Sequence, residues 1–196
     1  AEALNLARLL MATLDQLEIE DVPVARIETD HQNHDLAEHW QSAYADLLLL
    51  AANYHSELEK LGLLNPAARR NMLLDRLARR LMQGGDAQSV WAVGISTAAP
   101  AIAKLLRQVA FLPDGRVILP HIDLNMSDAE WDALGSLEMP KAGMPLQRQQ
   151  ETHPQYRLKL LLNRMGINRS EVSTLIAGGK ADDGANVQQA VADIFC

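Results

Sequence analysis

The sequence carries a single cysteine, Cys196, at its last position. One thiol excludes a disulfide framework within the chain, a four-cysteine zinc site and a cysteine-held iron–sulfur cluster. Aromatic residues are scarce at 4%, while Leu and Ala abound, which leans towards helix. No secretory signal is present, and no apolar run is long enough to span a bilayer, so no membrane partner is expected and the cytoplasm is the default compartment. Basic charge is also short: the formal net charge is −7, so the chain as a whole does not attract nucleic acid.

What is present is globular. The 196 residues, 48% hydrophobic and 22% charged, can bury a real core as one domain or two small ones. The charge is unevenly placed. Residues 1–59 hold twelve acids against Arg8 and Arg26, whereas residues 60–80 hold Lys60, Arg69, Arg70, Arg76, Arg79 and Arg80 against Asp75 alone. The chain opens at Ala1 and stops at Phe195-Cys196 inside helical patterns. The expectation is an internal piece of a longer protein.

Helical signals fill the first part. Leu4, Leu6, Leu9, Leu10, Leu14 and Leu17 share roughly one face over residues 2–17. Asp35 can cap a long helix with Leu36, Trp40, Tyr44, Leu47 and Leu48 on its apolar side, which Gly62 closes. Asn65-Pro66 then opens another helix, with Asn65 as N-cap and Pro66 where its missing N–H costs nothing. In that helix Arg69, Arg76 and Arg80 fall near one face, and Met72, Leu73, Leu77 and Leu81 are expected inward. Gly84-Gly85-Asp86 ends it and marks a boundary. The predicted division is a helical subdomain over 1–86, an α/β segment over 87–176, and a linker with a truncated helix over 177–196.

Ser89 to Asp123 reads as strand, tight turn, helix, strand: Val90 to Val93, a turn at Gly94, a helix opened by Pro100, and a strand over Val117 to Leu119. Such a unit predicts a parallel sheet, whose functional turns lie at the carboxyl ends of strands. Ser127 caps a short helix over 128–137, with Glu130 as its capping-box partner. Residues 138–151 read as a loop, and Pro154 starts a helix over 155–165 that Gly166 ends.

The turn Gly94-Ile95-Ser96-Thr97-Ala98-Ala99-Pro100 sits where α/β proteins bind phosphate, with Ser96 and Thr97 as its polar groups. It lacks the lysine and second glycine of a P-loop, and alanine at 98 denies it the Gly-x-Ser-x-Gly elbow. His31, His34 and His39 lie among acids but miss the i, i+4 spacing of a His-Glu-x-x-His zinc helix, so no metal site is predicted. His121 and Asp123 follow the second strand, and alternation with Ile122 predicts that they point to one side. Without a nucleophile or metal they read as structural capping, and no catalytic residue is assigned. Arg69, Arg70, Arg76 and Arg80 are the best candidates for binding phosphates, with Ser96 and Thr97 as weaker ones. The alternative for the arginines is a solvated face that offsets the acidic neighbouring helix.

These segments together resemble a known family. Asn65-Pro66-Ala67-Ala68-Arg69-Arg70-Asn71, followed by Leu73-Leu74 and Leu77-Ala78, resembles the DPAARRN-type helix of the AddB family, second subunits of bacterial AddAB double-strand-break repair helicase–nucleases. Gly94 to Pro100 resembles that family's Gly-Ser-Thr-rich turn, and Val117-Ile118-Leu119-Pro120-His121-Ile122-Asp123 resembles its VVLPGLD strand, with Trp131 following at the expected distance. His153-Pro154-Gln155-Tyr156 and Met165-Gly166 resemble its HPQ-led helix, and Leu36 to Gln41 also fits. The chain departs from the pattern at His121, where the family usually has glycine, and at Ile95 and Ala98-Ala99.

The resemblance implies the N-terminal, helicase-like half of such a subunit. Residues 1–86 would be a 1B-like insertion, and residues 87–176 part of a RecA-like parallel-sheet core whose ATPase motifs are degenerate. Its expected partners are DNA and an AddA-type helicase–nuclease subunit. No cofactor is expected in this piece; the parent family's nuclease domain uses a divalent metal and an iron–sulfur cluster. A rival reading is a small nucleotide- or phosphate-dependent α/β enzyme using the 94–100 turn with Ser96, Thr97, His121 and Asp123. A third is a protein-interaction module.

Overall fold

The computed structural model describes residues 2–26, 34–83, 89–134 and 151–174, with the backbone alone at 26 and over 34–40. The fold is mostly helical, with one two-stranded parallel sheet, a mixed α/β architecture. The chain divides into two compact units, residues 1–83 with 99–105, and residues 84–98 with 106–196.

The helical unit contains α1 (Glu2–Ile19), a 3-10 turn (Val24–Arg26), α2 (His34–Lys60) and α3 (Pro66–Met82). The helix α2 begins one residue before Asp35, which therefore lies in its first turn instead of capping it. As the sequence predicts, Asn65 caps α3: its side-chain oxygen accepts the amides of Ala67 and Ala68 at 2.7 and 3.1 Å. The same side chain reaches outside its helix, donating from Nδ2 to Asp15 of α1 at 2.7 Å and to the Tyr54 hydroxyl of α2 at 3.3 Å. Asn71 adds a second tie by donating to the Glu18 carbonyl at 2.7 Å.

These ties set which faces are buried, and they correct the sequence reading. The inward seam of α3 is Ala67, Asn71, Leu74, Ala78 and Leu81, a repeat of four and three residues, with Ala67 and Ala78 buried and the others half-buried. Met72, Leu73 and Leu77 are exposed at 37, 50 and 46%, so only Leu81 of the four expected inward residues points that way. Likewise Leu14 is the buried residue of α1, while Leu4, Leu6 and Leu9 are exposed. Leucines on several faces leave a helix several possible seams. Polar groups such as Asn65 and Asn71, which need partners, decide among them.

The α/β unit contains β1 (Trp91–Val93), β2 (Arg116–Ile118), α5 (Asp128–Ala133), α6 (Tyr156–Met165) and a 3-10 turn (Arg169–Glu171). The helix α4 (Pro100–Ala110) connects β1 to β2, and the division between the units passes through it. The strands pair in parallel, Trp91 beside Arg116 and Val93 beside Ile118, which is the expected β–α–β arrangement.

Leu158, Leu161, Leu162 and Met165 make the buried face of α6. Leu162 forms one cluster with Trp131 and Leu134, bordered by Leu119, Ile122 and Met126. The Trp131 ring is flanked by Lys159 Nζ, 5.6 Å from its centroid, and the Arg169 guanidinium, 5.1 Å away. Lys159 is 6% exposed; it donates to the Trp131 carbonyl and lies 3.5 Å from the Asp132 carboxylate, so the buried charge is paired. Arg107 Nη1 donates to the carbonyls of Met165 and Gly166, a cation at the negative end of α6. The predicted boundary at residues 84–86, the loop at 138–150 and the linker with helix after residue 176 lie outside the described residues.

Candidate functional site

Of the arginines predicted to meet phosphate, Arg69, Arg76 and Arg80 come together. At about 100° per residue they occupy the side of α3 opposite the Ala67–Ala78 seam, and all three are exposed. Arg70 does not join them. It lies about 100° from Arg69, is half-buried, and donates from Nη2 to Asn71 Oδ1 at 3.1 Å. Arg79 flanks the stripe, its Nε directed to the Asp75 carbonyl at 3.4 Å. The stripe is therefore three guanidinium groups spread over twelve residues, roughly 16 Å of helix.

The 94–100 turn begins at Gly94, whose φ of 75° lies in the left-handed region that glycine reaches without strain. Its amide donates to the Ile118 carbonyl at 3.0 Å, extending the parallel ladder by one step. Ser96 and Thr97 are exposed, and Arg164 of α6 donates to the Ala98 carbonyl. In the helical unit, Pro100, Ala101 and Lys104 of α4 line a groove of about 310 Å³ together with Glu18, Asp21, Asn71 and Asp75. Lys104 is already paired with Asp75 at 2.8 Å. Three carboxylates against one paired ammonium disfavour a phosphate at this end of α4, despite the helix N-terminus.

His121 and Asp123 do not alternate as a strand would place them. The strand β2 stops at Ile118, and His121 has a φ of 53°, a left-handed conformation that breaks the alternation. Asp123 Oδ1 accepts the amides of Asn125 and Met126 at 2.8 and 3.1 Å, an Asx turn that leads to α5. Gln155 fixes the bend: its Nε2 donates to the His121 carbonyl at 2.8 Å, and its Oε1 accepts the Asp123 amide at 3.1 Å. Gln155 is itself held by His153, whose Nδ1 accepts the Gln155 amide at 3.2 Å. The structural reading of Asp123 is thus met by its hydrogen bonds. The role of Gln155 has no signal in hydrophobic periodicity.

At the start of α5 the capping box forms. Ser127 Oγ accepts the Glu130 amide at 3.3 Å, while the Ser127 hydroxyl and amide donate to Glu130 Oε2 at 2.7 and 3.1 Å. Those two donors hold the Glu130 carboxyl below the usual glutamate range. Among the described residues, no group of three or more His, Cys, Asp or Glu side chains is placed to hold a metal ion, and no helix is long and apolar enough to cross a membrane. His31 lies outside the described residues, and of His34 and His39 only the helical backbone is described. Among the described residues, the outer side of α3 gathers Arg69, Arg76 and Arg80 on one exposed face. No protein-family model, curated protein or solved structure matches this chain.

Proposed function

We propose that this chain is a non-catalytic, helicase-like portion of an AddB-type subunit, contributing DNA binding and subunit scaffolding to double-strand-break repair. The carrying observation is the Gln155 bracket. It joins two segments that resemble the family independently, Val117 to Asp123 and His153 to Tyr156, through bonds between residues 32 and 34 positions apart. The left-handed φ at His121 supports the same reading, because the family usually has glycine there and glycine tolerates that conformation best. In this reading the α/β unit is part of a RecA-like core, the helical unit is a 1B-like insertion, and the 94–100 turn is a relic of a nucleotide site.

DNA meets the outer side of α3, where Arg69 and Arg76 are exposed, and an AddA-type subunit is the protein partner. The rival enzyme predicts that phosphate or ATP at roughly millimolar concentration raises the melting temperature. The present reading predicts no shift with either, and stabilisation by duplex DNA at low salt. A rise with ATP and none with DNA would replace it by the enzyme.

A further inference from the structure

We propose that a leucine ridge on α3, Leu73 with Leu77, is a docking site for an acidic amphipathic helix of a partner protein. The inference rests on the scaffolding half of the reading above. The two side chains are half exposed, at 50 and 46%, and stand one turn apart on the same face. Arg69 and Arg76 border the ridge on one side, and Arg70 borders it on the other at about 20° beyond Leu77.

Apolar side chains at i and i+4 give phosphates nothing to bind, and protein–DNA interfaces are more polar than this. They do match the spacing at which an amphipathic helix inserts its anchors into an apolar surface. The basic side chains agree. The helix α3 holds five arginines and no lysine, and protein interfaces favour arginine and methionine while lysine is depleted. Among helical partners, arginines beside an apolar ridge select one with Glu or Asp flanking its leucines, because a neutral or basic helix would leave them without a counter-charge.

The test uses two fluorescent peptides of one Glu/Leu composition, the first with its leucines on one helical face and the second with their order scrambled. Anisotropy is recorded for the whole chain, for Leu73→Ser/Leu77→Ser and for Leu73→Met/Leu77→Met, each also titrated with duplex DNA. Both leucines are exposed, so the substitutions leave the buried seam intact. The expected result is at least about tenfold tighter binding of the one-faced peptide. The serine variant loses that preference, the methionine variant keeps it, and DNA affinity stays within about twofold in both. Equal binding of the two peptides, a preference that survives the serine substitutions, no peptide binding at all, or DNA binding that disappears with the leucines would each overturn the docking site. A preserved peptide preference in a chain that binds no DNA would uphold it and overturn the DNA half of the proposed function instead.

Discussion

Gln155 and His121, thirty-four residues apart, are joined by a 2.8 Å hydrogen bond from the Gln155 side-chain amide to the His121 carbonyl. The same amide group accepts the Asp123 N–H, so one side chain holds both ends of the bend that follows β2. The bend places Leu119, Ile122 and Met126 against the cluster of Trp131, Leu134 and Leu162. Replacing Gln155 by Ala removes both bonds and should destabilise the chain by about 1 to 3 kcal/mol in urea unfolding. Gln155→Glu keeps the acceptor but sets a carboxylate oxygen against the His121 carbonyl, so near neutral pH it should be no more stable than Gln155→Ala.

His121 has a φ of 53°, in the left-handed region. His121→Gly relieves the left-handed strain but adds entropy to the unfolded chain. The net expectation is a gain of roughly 0.5 to 1 kcal/mol. His121→Val, with a branched Cβ, should instead lose about 1 to 2 kcal/mol. Paired urea curves for the two variants check both signs.

Asn65 combines two roles that an ordinary cap does not, and they can be separated. Asp is as good an N-cap as Asn in general. Here the Asn65 Nδ2 faces Asp15 Oδ1 at 2.7 Å, so Asn65→Asp would set two carboxylates against each other. The variant should therefore be at least as unstable as Asn65→Ala near neutral pH. It should recover as acid protonates one carboxylate of the pair. Thermal melts of both variants between neutral and acid pH measure this.

Glu130 supplies a pH dependence whose sign is fixed. Its folded-state pKa is lowered by the Ser127 hydroxyl and amide. The stabilisation is thus fully present above the unfolded-state pKa and is lost as pH falls through the lower folded-state value. Ser127→Ala should bring the Glu130 titration, followed by NMR, up towards the ordinary glutamate range and flatten that part of the acid unfolding profile.

Local signals were legible in the sequence because capping and turn chemistry act over a few residues. Asn65-Pro66, Gly94, Pro100, Ser127 with Glu130, and Gly166 all occupy the positions that their chemistry predicts. The choice of buried seam was not legible. Leu73, Leu77 and Leu81 are chemically alike, yet only Leu81 turns inward, because Asn65 and Asn71 bond to α1 and fix the rotation of α3. The arginine stripe was legible in part. The spacing of Arg69, Arg76 and Arg80 predicted a shared face, but that Arg70 turns aside to Asn71 depends on the same rotation. The role of Gln155 depends on a loop brought to it from another part of the chain, which no local pattern encodes.

The most direct test of the DNA reading is the affinity of the chain for a labelled duplex across a range of salt, compared with the Arg69→Glu/Arg76→Glu variant. Both residues are exposed, so the exchange leaves the fold intact, which circular dichroism verifies. The account predicts weaker binding by the variant at every salt concentration. It also predicts a salt slope shallower by about two, because each guanidinium removed leaves one phosphate un-neutralised. Equal affinity and an unchanged slope would contradict it.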